Sequence, residues 1–306
     1  MEILIIGHKN PDTDSICSAI AYSELKNSLG FKTKPVRAGE LNKETEFVLN
    51  HFNFEIPNLK TDISGESIIL VDHNERTQTA DGFEDAKILE LIDHHRIANF
   101  NVDEPLKVRM EPVGCTSTII YDLYKENNIQ PSKKIAGIML SAIISDTLLF
   151  KSPTCTGKDT VASRELSKIA EIDIPTYGIE MLKAGTALED KSVNELLNMD
   201  MKIFDMGNLK VGIAQINSVD ENSLLTKKSE IISEINNIIN NEKLNLFMFV
   251  ITNILTNNSI GIVIGEKLDL VEKVFDSKIN ENVITLDGIV SRKKQIVPPL
   301  TKALSD

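Results

Sequence analysis

Three apolar runs in the first hundred residues each stop at the same kind of polar cluster. Ile3–Gly7 leads into His8-Lys9-Asn10-Pro11-Asp12-Thr13-Asp14-Ser15, Ser67–Val71 into Asp72-His73-Asn74, and Ile88–Ile92 into Asp93-His94-His95. Short apolar runs that end at such loops read as buried strands. A parallel α/β sheet places its ligands in the crevice outside the carboxyl ends of its strands, so clusters far apart in sequence can meet there. The pattern therefore predicts an α/β fold with a mostly parallel sheet in the N-terminal part.

Other segments fit that frame. Ile16–Leu29 has helical spacing, stops at Gly30, and has Asp14 or Ser15 as its expected cap. Thr33–Val36 reads as a strand. Helices are expected over Cys115–Glu126, Lys133–Ser145, Lys158–Ala170 and Tyr177–Leu182. The polar segment Ala187–Ser192 marks a boundary between residues 1–188 and a smaller α/β domain, residues 189–306. In that second domain Lys210–Ile216, Leu246–Thr252 and Ser259–Ile264 read as strands, and Ser223–Asn241 as one amphipathic helix. The apolar run Val283–Val290 reads as a strand and precedes Ser291-Arg292-Lys293-Lys294-Gln295.

Only five histidines occur in the chain, and four of them sit in the three clusters. Imidazole and carboxylate together suit divalent transition metals. In the first cluster the bland alternative is a helix cap, but a cap needs one side chain and this loop offers His8, Asp12, Asp14 and Ser15. One Asp-His pair alone carries little weight; two, each directly after an apolar run, carry much more. From an extended backbone His94 and His95 point different ways, so one can ligate while the other faces substrate or an acid. Asp146, after the Lys133–Ser145 helix, gains meaning only beside the other acids. The acids outnumber the needs of one ion, and two cations would relieve their repulsion.

Composition limits the rest. The net charge of −12 argues against a nucleic-acid binder, because duplex affinity rests on Lys and Arg. No stretch is long and apolar enough to span a membrane. The beginning Glu-Ile-Leu-Ile-Ile-Gly has no signal-peptide pattern, and the odd, widely spaced Cys17, Cys115 and Cys155 read as reduced thiols; both point to a cytoplasmic protein. Taken alone, Arg292, Lys293 and Lys294 have a solvated charge run as their usual meaning, although Arg and Lys also suit phosphate.

Taken together, Gly-His-Lys-Asn-Pro-Asp-Thr-Asp-Ser, Asp72-His73-Asn74, Asp93-His94-His95 and Ser291-Arg292-Lys293-Lys294-Gln295 resemble the family II (manganese-dependent) inorganic pyrophosphatases of the DHH phosphoesterase superfamily, in order along essentially the whole chain. Asp-His-His specifies only the superfamily, and Ser-Arg-Lys-Lys-Gln narrows it. The resemblance implies one metal held by His8, Asp12, Asp72 and Asp146, and another by Asp14, Asp72, His94 and Asp146. It implies catalytic roles for His95, Asp72 and Asp146, and phosphate binding by Lys202, Arg292 and Lys293. Two Mn²⁺ are implied, with Co²⁺ an alternative and further Mg²⁺ or Mn²⁺ arriving with substrate. The implied reaction is pyrophosphate hydrolysis by a water or hydroxide bridging two metals roughly 3.5–4 Å apart, in a cleft between the two domains. A homodimer through the N-terminal domain and a short form without a regulatory nucleotide-binding insert are also implied.

Rival expectations are a relative acting on short oligonucleotides or cyclic dinucleotides, a polyphosphate-cleaving relative, and a non-catalytic metal or phosphate sensor. The first carries a Gly-Gly motif in its second domain, and this chain has no Gly-Gly pair.

Overall fold

A computed structural model describes residues 2–186, 188 and 191–305. Two compact units divide the chain, Met1–Gly185 and Thr186–Asp306. Of the polar segment expected at the boundary, Ala187, Glu189 and Asp190 lie outside the described residues.

The first unit is built on β1 (Ile3–Ile6), β2 (Thr33–Arg37), β3 (Asn58–Leu59), β4 (Ser67–Val71), β5 (Lys87–Asp93) and β6 (Lys107–Met110). Their order is β3-β2-β1-β4-β5-β6 and every pairing is parallel. The order reverses between β1 and β4, so the loops after these two strands flank a topological switch point, the usual place for a ligand in such a sheet. All five residues of β4 are buried, as expected for a strand covered on both faces.

The helices of this unit are α1 (Thr13–Ser28), α2 (Lys43–His51), α3 (Thr116–Glu126), α4 (Lys133–Thr147), α5 (Gly157–Ala170) and α6 (Ile174–Thr186). Helix α4 is buried continuously from Ile135 to Ile144, which matches its nearly unbroken apolar sequence. Phe52 packs so closely on it that a Cβ at Gly137 would lie 2.1 Å from the ring. The cap of α1 is Asp12, which accepts from Ser15 N at 3.0 Å. That corrects the expected Asp14 or Ser15: the helix begins earlier, and Asp14 is free to aim elsewhere. Cys17 and Cys115 are buried free thiols, while Cys155 is half-buried.

The second unit contains α7 (Val193–Asn198), β7 (Met201–Met206), β8 (Leu209–Ser218), α8 (Glu221–Leu225), α9 (Lys228–Glu242), β9 (Leu246–Asn253), β10 (Asn258–Gly265), α10 (Leu268–Phe275), β11 (Val283–Leu286), a π-helical turn (Arg292–Ile296) and α11 (Val297–Ser305). Its sheet order is β11-β10-β9-β8-β7, with β8 and β9 parallel and the other pairs antiparallel. Alternation along the fully buried β9 serves two cores. Phe247, Phe249 and Ile251 pack with Leu196, Ile231 and Ile235, and Leu246, Met248 and Val250 pack with Val271, Ile296 and Leu300.

Two expectations are corrected here. The single helix over Ser223–Asn241 is two, because Asp220 caps α8 separately and Lys227 leaves helical geometry between them. The run Val283–Val290 is a strand only to Leu286, since Gly288 turns at φ +68°. No described helix is long and apolar enough to cross a membrane.

Candidate metal centre

Each acidic or imidazole side chain of the cluster is delivered by the end of an element. His8 follows β1, Asp12 and Asp14 open α1, Asp72 follows β4, His94 and His95 follow β5, and Asp146 lies in the last turn of α4. Asp72 stands in the left-handed region at φ +61°, with its N–H donating to Ile92 O at 2.9 Å. A non-glycine residue there costs on the order of 1–2 kcal/mol, and such outliers gather at functional sites.

The side chains converge. His8 Nε2 is 3.5 Å from Asp12 Oδ2 and 3.5 Å from Asp72 Oδ2. His94 Nε2 is 3.4 Å from Asp72 Oδ1 and 3.8 Å from Asp146 Oδ2. Two sets of ligand atoms each fall within 4.8 Å of one another: His8, Asp12 and Asp72 in one, and Asp14, Asp72, His94 and Asp146 in the other. Asp72, His94 and His95 form a third such set. Most of these separations are long for hydrogen bonds, but atoms sharing an ion about 2.1 Å away lie roughly 3.0–3.5 Å apart. The donor set and its spacing thus fit divalent transition metals. Asp72 is common to all three sets; Asp146 joins Asp14 and His94 but not the His8–Asp12 set.

Supporting bonds hold the cluster in place. His94 Nδ1 meets Val113 O at 3.0 Å, which leaves Nε2 facing the acids. Asp14 accepts from Thr116 N at 2.6 Å and Ser117 N at 3.1 Å, the exposed donors at the start of α3, and from Ser18 Oγ at 2.7 Å. Thr116 Oγ1 donates to Asp72 Oδ1 at 3.0 Å. One short segment, 113–117, therefore orients His94, Asp14 and Asp72. Asp159 anchors that segment by accepting from Gly114 N at 2.9 Å and Thr118 Oγ1 at 2.6 Å.

Burial and mutual repulsion shape the electrostatics of the cluster. Burial, then the charges of Asp14, Asp72 and Asp12, push the Asp146 carboxyl well above its ordinary value. Burial opposes charging of His8, yet Asp12 and Asp72 outweigh it and raise its pKa to about 10. Against the same opposition from burial, Asp72 and Asp14 raise His94 to about 9. The acids of the cluster thus favour positive charge on their neighbours and disfavour one another's ionisation. His73 behaves differently. Burial lowers its pKa to about 4, Nδ1 meets Val71 O at 2.9 Å, and Nε2 has no hydrogen-bond partner among the described residues.

His95 is half-exposed and pairs through Nδ1 with the buried Asp93 Oδ1 at 2.8 Å. Asp93 also accepts from Asn74 Nδ2 at 2.6 Å. Asp93 raises the pKa of His95, against burial.

In the second unit, Arg292 and Lys293 line an open cavity of about 560 Å³ with Asp200, Gln215, Asn217 and Ser291. Lys202 is not among the residues lining it; it is exposed on β7, paired in register with Ile213. The Arg292 guanidinium is already engaged. Nη2 donates to both Asp200 carboxylate oxygens at 2.8 and 2.9 Å, and Nη1 to Ile213 O at 3.1 Å and to Asp200 O. The sequence names Asp93 only as the acid of the Asp93-His94-His95 cluster, without its bond to His95. Asp200, Asp159 and Glu44 carry no local pattern and emerge only from tertiary contacts.

A parallel sheet with acids and imidazoles at its switch point, followed by a second mixed α/β unit, defines a two-part protein of the DHH class. Residues 2–143 match the DHH family, N-terminal domain, and residues 179–303 match the DHHA2 domain. The chain is 55% identical over 305 residues to a Bacillus licheniformis protein named "Probable manganese-dependent inorganic pyrophosphatase", covering 99% of both chains. A Bacillus cereus protein of the same name is 53% identical over 304 residues, covering 99% of this chain and 98% of its own. The crystal structure of a Methanococcus jannaschii "putative family II inorganic pyrophosphatase" superposes with a TM-score of 0.62 at 40% identity, covering 99% of this chain and all of that one (100%). An exopolyphosphatase-related protein from Bacteroides fragilis shares the fold, with a TM-score of 0.50 at 16% identity over 99% of this chain and 91% of that one. The chain belongs to the manganese-dependent, family II inorganic pyrophosphatases.

Proposed function

We propose that the chain hydrolyses inorganic pyrophosphate to two orthophosphates, with two manganese ions held by His8, Asp12, Asp14, Asp72, His94 and Asp146. The observation that carries this reading is Asp72, whose carboxylate belongs to each set of clustered donors. Asp72 and Asp146 are the shared ligands in this assignment. Divalent ions bound there supply Lewis acidity and acidify a water toward neutrality, the chemistry that attack on a phosphoric anhydride requires. Co²⁺ suits the same imidazole and carboxylate donors, and further Mg²⁺ or Mn²⁺ would neutralise the substrate.

The protein's own groups do the positioning. Asp93 orients His95 through Nδ1, and His95 hydrogen-bonds a phosphate oxygen or assists a proton. Lys293, Arg292 and Lys202 supply positive charge for the substrate. With four hydrogen bonds already donated by its two Nη atoms, Arg292 acts chiefly as a fixed charge, and Lys293 makes the more adaptable contact. Residues 1–188 form the metal-binding catalytic domain and residues 189–306 the substrate-binding one. A cytoplasmic homodimer joined through the first domain completes the reading, and sedimentation of the purified protein tests its subunit count.

Phosphate release from pyrophosphate, tripolyphosphate and a cyclic dinucleotide, measured after chelation and re-addition of single metals, tests the function. Restoration by Mn²⁺ of pyrophosphate turnover above the other two substrates is expected. Preference for either other substrate would overturn the assignment.

A further inference from the structure

We propose that Glu44, on α2, is a positioning residue that clamps together the two helix ends carrying Asp12, Asp14 and Asp146, and so sets the affinity of the centre for manganese. The inference rests on the metal assignment above. Glu44 Oε1 accepts from Thr13 Oγ1 at 2.6 Å and from Ser145 Oγ at 2.5 Å. Thr13 stands between Asp12 and Asp14 at the start of α1, and Ser145 immediately precedes Asp146 at the end of α4. A single carboxylate oxygen thus joins the immediate neighbours of three proposed ligands from two helices.

The surroundings are built for this contact. Thr13 and Thr45 are both fully buried, with their hydroxyl oxygens 3.2 Å apart. A Cβ on Gly185 would lie 2.9 Å from Glu44 Oε2 and 3.1 Å from its Cβ, so glycine leaves the carboxylate its space. Asn42 fixes the start of α2 by accepting from Thr45 N at 2.7 Å. Two hydroxyl donors converge on one spot, which calls for an acceptor there, and a charged acceptor makes the stronger bonds. Asp12, Asp14 and Asp146 crowd one another at these helix ends, and burial together with the charge of Asp12 raises the Glu44 pKa as well, so the clamp acts through its two hydrogen bonds. Groups that hydrogen-bond metal ligands directly typically change metal affinity by about 10- to 100-fold when removed; Glu44 acts one residue further out, so the lower end of that range is expected.

The test is manganese titration of chelated wild-type protein, Glu44→Ala, Glu44→Gln and Ser145→Ala, with thermal unfolding of each metal-free protein alongside. Glu44→Ala should weaken manganese binding about 10-fold. Glu44→Gln keeps a carbonyl acceptor and should recover most of that loss. Ser145→Ala should weaken binding less and, combined with Glu44→Ala, add less than its separate effect. If Glu44→Ala does not fold, Ser145→Ala and Glu44→Gln still decide. Wild-type manganese affinity in all folded variants would overturn the clamp. A wild-type protein that takes up no manganese would instead overturn the metal assignment itself, and the clamp with it.

Discussion

The two charged regions of this molecule are built on opposite principles. In the first unit Asp12, Asp14, Asp72 and Asp146 converge, and among the described residues the ion pairs of Asp12, Asp72 and Asp146 involve only His8, His94 and His95. In the second unit, Arg292 meets its counter-charge within the protein, both oxygens of Asp200. In the first region like charges gather; in the second, Arg292 is paired with an acid of its own. Removing an acid should therefore have opposite consequences in the two places.

The largest effect is expected at Asp146. Asp146→Asn should lower pyrophosphate turnover about a thousandfold, the scale of several kcal/mol of charge stabilisation. The same change should raise the stability of the metal-free protein by about 1 kcal/mol by relieving repulsion. Calorimetry with and without Mn²⁺ reads both; a metal-free variant less stable than wild type would break the contrast. Lys293→Ala comes next, raising KM for pyrophosphate about tenfold, on the order of 1.4 kcal/mol, with manganese content unchanged. Unaltered kinetics would leave that residue as surface charge. Asp200→Asn should cost about 1 kcal/mol of stability, near the upper end for a pair with one exposed member. Increased stability there would erase the difference between the regions.

A balanced carboxylate in the first unit sharpens the comparison further. Glu90 accepts from Tyr22 Oη at 2.5 Å and Lys26 Nζ at 2.6 Å. Burial opposes its ionisation, but these partners hold its pKa below the ordinary carboxylate value of 4.5. A depressed carboxylate stabilises the fold above its unfolded pKa, and that contribution is lost as pH falls through the folded value. Glu90→Gln should therefore flatten the acid side of the stability curve below about pH 4.5. Unfolding midpoints between neutral pH and pH 3 check this, and an unchanged acid slope would refute it.

The sequence showed the strands and where they stop, because apolar runs followed by polar clusters are local features. The clusters His8–Ser15, Asp72–Asn74 and Asp93–His95 stand out for the same reason, whereas Asp146 gains meaning only beside them. The left-handed turn at Asp72 was not, since Asp tolerates that geometry without announcing it. Strand β6 was missed as well: Lys107-Val108-Arg109-Met110 is half polar at the sheet edge, where one side needs no covering. Glu44, Asp159 and Asp200 escaped because their partners lie far off in sequence, at Ser145, Gly114 and Arg292. Charge runs raised the same difficulty: Arg292 and Lys293 look alike in sequence, and only the fold buries Arg292 and pairs it with an acid.

Manganese counting at the shared carboxylate probes the account most directly. Chelated wild-type protein and Asp72→Ala are titrated side by side with Mn²⁺. Wild type should take up two ions per chain, and the variant should hold neither tightly, because both sets of donors lose the same side chain. Two tightly bound ions in Asp72→Ala would contradict it.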